Sequence, residues 1–87
     1  MIESGLLRFP TDYPIKVVGR SGGTLRSRAD EIFARHVPDL DSSLTTERLS
    51  GNRNFVSISY LIRATSREQV IALAKELSAC GDVMMVL

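Results

Sequence analysis

The order in which apolar periodicity changes along this chain leaves few ways to fold it. From Tyr13 to Gly19 the pattern has a period of two, with Tyr13, Ile15 and Val17 against Pro14, Lys16 and Val18, which marks a strand. Gly22-Gly23 then opens a helical stretch to about His36, where Leu25, Ala29, Ile32, Phe33 and His36 fall on one stripe and Pro38 ends it. Asp39 to Ser43 reads as a polar loop. Leu44 to Leu49, rich in Thr and charge, suits an exposed edge strand. Ser50-Gly51-Asn52 reads as a hairpin turn in which Gly51 supplies any positive φ. The longest strand follows, Phe55 to Ala64, with Val56, Ile58, Tyr60 and Ile62 on one face and Phe55, Ser57, Ser59, Leu61 and Arg63 on the other. Ser66 with Gln69 three residues on forms a capping box, Val70, Leu73, Ala74 and Leu77 form the buried stripe of a second helix, and Gly81 suits its C′ position. Val83 to Leu87 is a last strand, apolar on both faces.

That order, β-α-β-β-α-β, predicts a ferredoxin-like α+β sandwich with a four-stranded antiparallel sheet in the order 4-1-3-2. Right-handed crossovers place both helices on one side of it. A chain of 87 residues makes one domain, 1–87, with 1–11 an N-terminal arm. At this size folding buries roughly 60–65% of the extended-chain surface, enough for one thin core.

Net charge and cysteine usage narrow the partners. At +1 the chain has no global field that draws it to nucleic acid or an acidic membrane. The lone Cys80 rules out an internal disulfide and a Cys-rich metal cluster; no metal or cofactor is expected. The acidic start of the chain does not resemble a signal peptide, and no apolar run reaches the ~20 residues of a membrane span. A cytoplasmic home is the expectation.

The sheet face away from the helices is expected to show Lys16, Val18, Phe55, Ser57 and Leu61 with part of the last strand. Such a face is too apolar to stay wet over a large area. Val18, Phe55, Leu61, Met84 and Val86 are therefore candidates for an interaction surface, covered by the N-terminal arm, a second copy of the chain or a protein partner.

Several stretches resemble a family of small bacterial proteins typified by YbeD. They are Leu7-Arg8-Phe9-Pro10-Thr11, Lys16-Val17 with Gly19, Arg35-His36 with Pro38, Gly51-Asn52, Val56-Ser57-Ile58, Ala64-Thr65, Glu68-Gln69-Val70, Glu76-Leu77 and Met85-Val86-Leu87. The resemblance implies a fold similar to ACT-type regulatory domains, in a bacterial cytoplasm, with no established activity and with genes often near those for lipoate synthesis. One departure stands out. The family tends to Pro and an acidic residue before the first helix, where this chain has Gly22, Gly23 and Thr24.

The loop Arg20-Ser21-Gly22-Gly23-Thr24 is the best candidate ligand site, with Arg26 beside it. Free N–H groups at a helix start bind anions, and glycines let a ligand reach the backbone. A cation in the first helical turn opposes the helix dipole, a penalty that a bound anion would offset. Gly23-Thr24-Leu25 also looks like the Gly-x-Leu pattern that ACT domains place in this loop for amino-acid effectors. A small anionic metabolite or amino acid is the ligand class; a plain turn with solvated arginines is the alternative.

Enzyme patterns are weaker. Val17-Val18-Gly19-Arg20 resembles the start of acylphosphatases, yet their catalytic Arg would align near Ser27, and Asn52 and Asn54 precede the strand that carries their Asn. RNA-recognition motifs stack bases on two aromatics of the central strands; here Phe55 meets one position, Ser57 the other, and Tyr60 points to the helices. His36 reads as a C-terminal carbonyl cap. No Ser/His/Asp set can be assembled around a single histidine. The functional expectation is a non-enzymatic ACT-like regulatory or small-molecule-binding module, with a protein-interaction or dimerisation module as the alternative.

Overall fold

The structure is a computed structural model and describes residues 8–87. The strands are β1 (Thr11–Arg20), β2 (Thr46–Leu49), β3 (Phe55–Ala64) and β4 (Val83–Val86). The helices are α1 (Leu25–His36) and α2 (Arg67–Ala79), with a 3₁₀ turn at Ser42–Leu44 before β2. The sheet runs β2-β3-β1-β4, with each neighbouring pair antiparallel. Read from the other edge this is the order 4-1-3-2 of the ferredoxin-like sandwich.

Period-two alternation gives the sheet one dry face. Ile15 and Val17 of β1 and Val56, Ile58, Tyr60 and Ile62 of β3 are buried, and they form one cluster with Leu25, Ala29, Ile32 and Phe33 of α1 and Leu73 and Leu77 of α2. Both helices thus pack on the same face. Phe33 stacks on Tyr60 with ring centroids 3.7 Å apart and planes 13° from parallel. Phe9 also packs against this cluster, so the arm's described end turns to the helix side; residues 1–7 lie outside the described residues.

Three local expectations change. The helix-opening turn uses Gly22 in the left-handed region, φ 79°, and α1 starts at Leu25 rather than Gly23. In the β2–β3 hairpin Arg53, φ 63°, rather than Gly51 takes the left-handed conformation. Asn52 fixes that turn by accepting from the Ser50 hydroxyl (2.8 Å) and the Asn54 N–H (3.1 Å). Gly81 follows α2 without a positive φ, because Cys80 already leaves the helix in extended backbone.

At the start of α2 half of the capping box forms. The Ser66 hydroxyl accepts from the Gln69 N–H at 3.1 Å. The Gln69 side chain reaches past Ser66, accepts from the Thr65 N–H at 2.7 Å and donates to the His36 carbonyl at 2.8 Å. This one amide caps the end of α1 and tethers the start of α2. Ser66→Ala is expected to cost about 1 kcal/mol, read as a lower urea midpoint with an unchanged slope.

His36 does not cap carbonyls. Its Nε2 lies 2.6 Å from Glu76 Oε1, and Arg35 pairs with the other oxygen of the same carboxylate, so Glu76 bridges α1 and α2. The Arg35 guanidinium first, and His36 second, hold the Glu76 carboxyl below its ordinary value. A carboxylate with a depressed folded-state pKa stabilises the fold above its unfolded pKa and loses that contribution as pH falls through the folded one. The stability difference between the native chain and Glu76→Gln is therefore expected to be present above the ordinary glutamate range and to vanish in acid, below it. Urea titrations at a series of pH values check it.

Candidate functional site

The Gly22 loop is built by three segments. The Ser21 N–H donates to the Asn54 carbonyl at 3.0 Å and its hydroxyl donates to the Arg53 carbonyl, so the β2–β3 hairpin holds the loop from one side. The β4 lead-in holds it from the other. The Thr24 hydroxyl donates to Asp82 Oδ2 at 2.5 Å, and Arg28 Nε lies 3.0 Å from the same oxygen. A carboxylate of the chain's own thus sits at the start of α1, where the sequence leaves room for an external anion. It supplies the negative charge that the helix dipole favours there.

Arg20, Ser21, Gly23 and Thr24 line a small hollow of about 150 Å³ with Gly81, Asp82 and Met84. Gly22 is not part of that lining, and neither is Arg26. The Arg26 side chain turns to the other flank of α1. There its Nε donates to both Asp30 oxygens (3.0 and 2.9 Å) and its Nη1 to Glu47 Oε1 of β2 at 2.8 Å. The Tyr60 hydroxyl closes this network by donating to Asp30 at 2.8 Å. Burial, followed by the bond to Asp30, pushes the Tyr60 phenol well above its ordinary range and keeps it neutral. Arg26 is a structural cross-brace between α1 and the sheet, not a member of the loop site.

The open face of the sheet is the larger feature. Cross-strand partners share a face, so its rows can be read from the register. Arg20 lies opposite Phe55; Arg48, Ser57, Val18 and Met85 form the next row; Thr46, Ser59 and Lys16 form the one after; Pro14 then lies opposite Leu61. The Leu87 backbone exchanges both hydrogen bonds with Lys16 (3.0 and 2.8 Å), which adds Leu87 to the Lys16 row. A groove of about 540 Å³ crosses this face between Lys16, Val18, Arg48, Phe55 and Ser57. The Arg20 guanidinium lies 5.7 Å from the centre of the Phe55 ring, in cation–π range.

Of the five apolar candidates, Val18, Phe55 and Leu61 lie on the open face. Val86 does not: it pairs with Val17 and packs against the core. Met84 falls in a bulge. The register jumps from Val18↔Met85 to Gly19↔Val83, which leaves Met84 unpaired beside the Gly22 loop and makes Met85, 52% exposed, the methionine of the open face. The Lys16–Ser59 row also separates Leu61 from the Val18–Met85 patch. Sequence reasoning overlooked Met85 and Arg48. Only the bulge reveals the first, and only the β2–β3 register the second.

Among the described residues no three His, Cys, Asp or Glu side chains are grouped to hold a metal ion. No helix among them is long and apolar enough to cross a membrane.

Comparison with known proteins agrees with this shape. The family model for the "protein of unknown function (DUF493)" matches residues 4–87. A UPF0250 protein of Ectopseudomonas mendocina is 46% identical over 87 residues, covering 99% of this chain and 95% of that relative. The UPF0250 protein of Azotobacter vinelandii is 42% identical with the same coverage. Among solved structures, the ACT domain of the GTP pyrophosphokinase of Chlorobium tepidum superposes with a TM-score of 0.61 at 17% identity, covering 88% of this chain and 97% of that domain. Protein HP0495 of H. pylori does so with a TM-score of 0.67 at 14% identity, over 93% of this chain and 85% of that one.

Proposed function

Since the chain belongs to this family of unknown function, which bears out the resemblance read from its residues, we propose that it is a non-enzymatic interaction module that docks a partner protein on the open face of its sheet. One observation carries this reading: among the described residues the helices cover one face only, and the other face holds a groove lined by Val18, Phe55 and Ser57 and edged by Arg48 and Lys16. Exposed apolar residues rimmed by polar ones mark protein interaction sites. The loop site supports a ligand less well, because Asp82 already engages Thr24 and Arg28. The acylphosphatase-like reading gains no support, since Asn52 is used within its turn.

A photo-crosslinking side chain placed at Ser57 or Val18 in bacteria that express the protein tests the reading. Crosslinks to a discrete second protein from these positions are expected, and none from Ile71, which is 44% exposed on α2. Crosslinks from Ile71 with silence from the sheet would move the docking face to the helices. Titration with amino acids and organic acids is expected to leave the Gly22 and Gly23 amides unshifted; movement there would return the function to the loop.

A further inference from the structure

Charge on the open face identifies the kind of partner. The four strands contain two acids, Asp12 and Glu47. Glu47 lies opposite Ile58, on the helix side, and is taken by Arg26. Asp12 sits at the far end of β1, 3.2 Å from Arg63 Nη1. Among the described residues the middle of the open face therefore carries Lys16, Arg20 and Arg48 with no side-chain carboxylate among them. Among the described residues none of the three forms a salt bridge.

Resting on the open-face reading above, we infer that the occupant is an acidic, part-apolar segment of another protein, its carboxylates on Lys16, Arg20 and Arg48 and its apolar side chains on Val18, Phe55 and Met85. Spacing argues against a small anion. Lys16 and Arg20 are four residues apart on β1, roughly 13 Å, and Arg48 stands two strands away from that line, roughly 10 Å. One carboxylate or phosphate cannot span these sites; an elongated segment can.

Charge argues against a second copy seated face to face. Two open faces in apposition would bring six cations together with no side-chain carboxylate of the described residues between them, and like charges across an interface are costly. The aromatic pattern argues against nucleic acid. Binding by a sheet needs exposed rings on which bases stack, but Tyr60 is fully buried and the Phe55 ring has the Arg20 guanidinium against it. An acidic amphipathic helix meets all three conditions.

The test uses the full chain, with backbone amide shifts as the readout. The probes are a synthetic helical peptide of roughly four turns with Glu and Leu on one face, the same peptide with Lys for Glu, and a single-stranded oligonucleotide. The Glu peptide is expected to shift the Val18, Ser57 and Ser59 amides and to bind more weakly as salt rises. With exposed ion pairs contributing up to about fivefold each, the triple variant Lys16→Ala, Arg20→Ala, Arg48→Ala is expected to bind it roughly 10- to 100-fold more weakly. Charge reversal at the same positions to Glu should transfer binding to the Lys peptide, a gain that a damaged fold would not show. Equal binding of both peptides to the native chain, silence toward the Glu peptide, or an unaffected triple variant would overturn the acidic assignment, and crosslinking from Ser57 would still decide the open-face reading. Tighter binding of the oligonucleotide at these amides would overturn both.

Discussion

Gly19→Ala is expected to lower stability by about 3 kcal/mol or more, beyond the usual range for one extra methyl group in a packed core. A Cβ at this position would lie inside 3.0 Å of the Asp82 carbonyl oxygen and 2.8 Å from Leu25 Cδ2, closer than real Cβ atoms come to their neighbours. Leu25 can rotate away. The Asp82 carbonyl cannot, because it belongs to the backbone that leads into β4 where Gly19 pairs with Val83. Relief requires β4 to move off β1 at its first residue, which also pulls the Asp82 carboxylate from Thr24 and Arg28. For a domain of this size the loss corresponds to a fall in Tm of roughly 12–24 °C. Amide exchange should show the β4 protons losing protection before those of β3. In a double-mutant cycle with Leu25→Ala, itself a core truncation, the two losses are expected to add, since the obstacle is main chain. A Tm within a few degrees of the native value would mean that β4 does not pack this closely on β1.

Gly19 shows why the fold was legible and much of the site was not. As the last apolar-compatible position of a strand it reads from the sequence as a stop; its need to be glycine comes from a segment sixty-three residues later. The same division runs through the chain. The parity of β3, the α1 stripe and the Ser66 cap are local, set by spacing within one element, and the structure reproduces them. Arg26 and Asp30 are four apart on a helix and could be paired from sequence, but Glu47, which takes the rest of the guanidinium, arrives from another strand. Asp82 reaches the start of α1 across 58 residues. Without those two long-range carboxylates the loop looks like an open anion site with a free arginine.

The last strand failed for a different reason. Strand residues alternate faces, so a single extra residue exchanges the inward and outward sets beyond it. The bulge at Met84 places Val86 inward and Met85 outward. Nothing in Val83-Met84-Met85-Val86 announces it, because every residue is apolar and either phase is acceptable to the core. A bulge beside Gly19 also fits the tight approach there, since it lets the Asp82 backbone press against β1 where no side chain intervenes.

Phe33→Ala is expected to be as damaging as any core truncation in this chain, about 3–5 kcal/mol, and to leave the protein partly unfolded at 37 °C. Phe33 is fully buried on α1 and stacks on Tyr60, the largest of the fully buried side chains. Deleting the ring removes the transfer free energy of its apolar surface and opens a cavity between α1 and β3. A second effect follows through Tyr60. Its hydroxyl is aimed at Asp30 by the same packing, and Asp30 in turn orients Arg26 toward Glu47. When the ring can shift into the cavity that chain of bonds loosens, so edge strand β2 should lose amide protection along with α1. Phe33→Leu fills part of the space and should recover about half of the loss, whereas Tyr60→Phe keeps the stack and removes only the hydroxyl, costing about 1 kcal/mol. Urea unfolding of the three variants orders them. If Tyr60→Phe proved as costly as Phe33→Ala, the hydrogen-bonded network rather than the stacked rings would be what fastens α1 to the sheet.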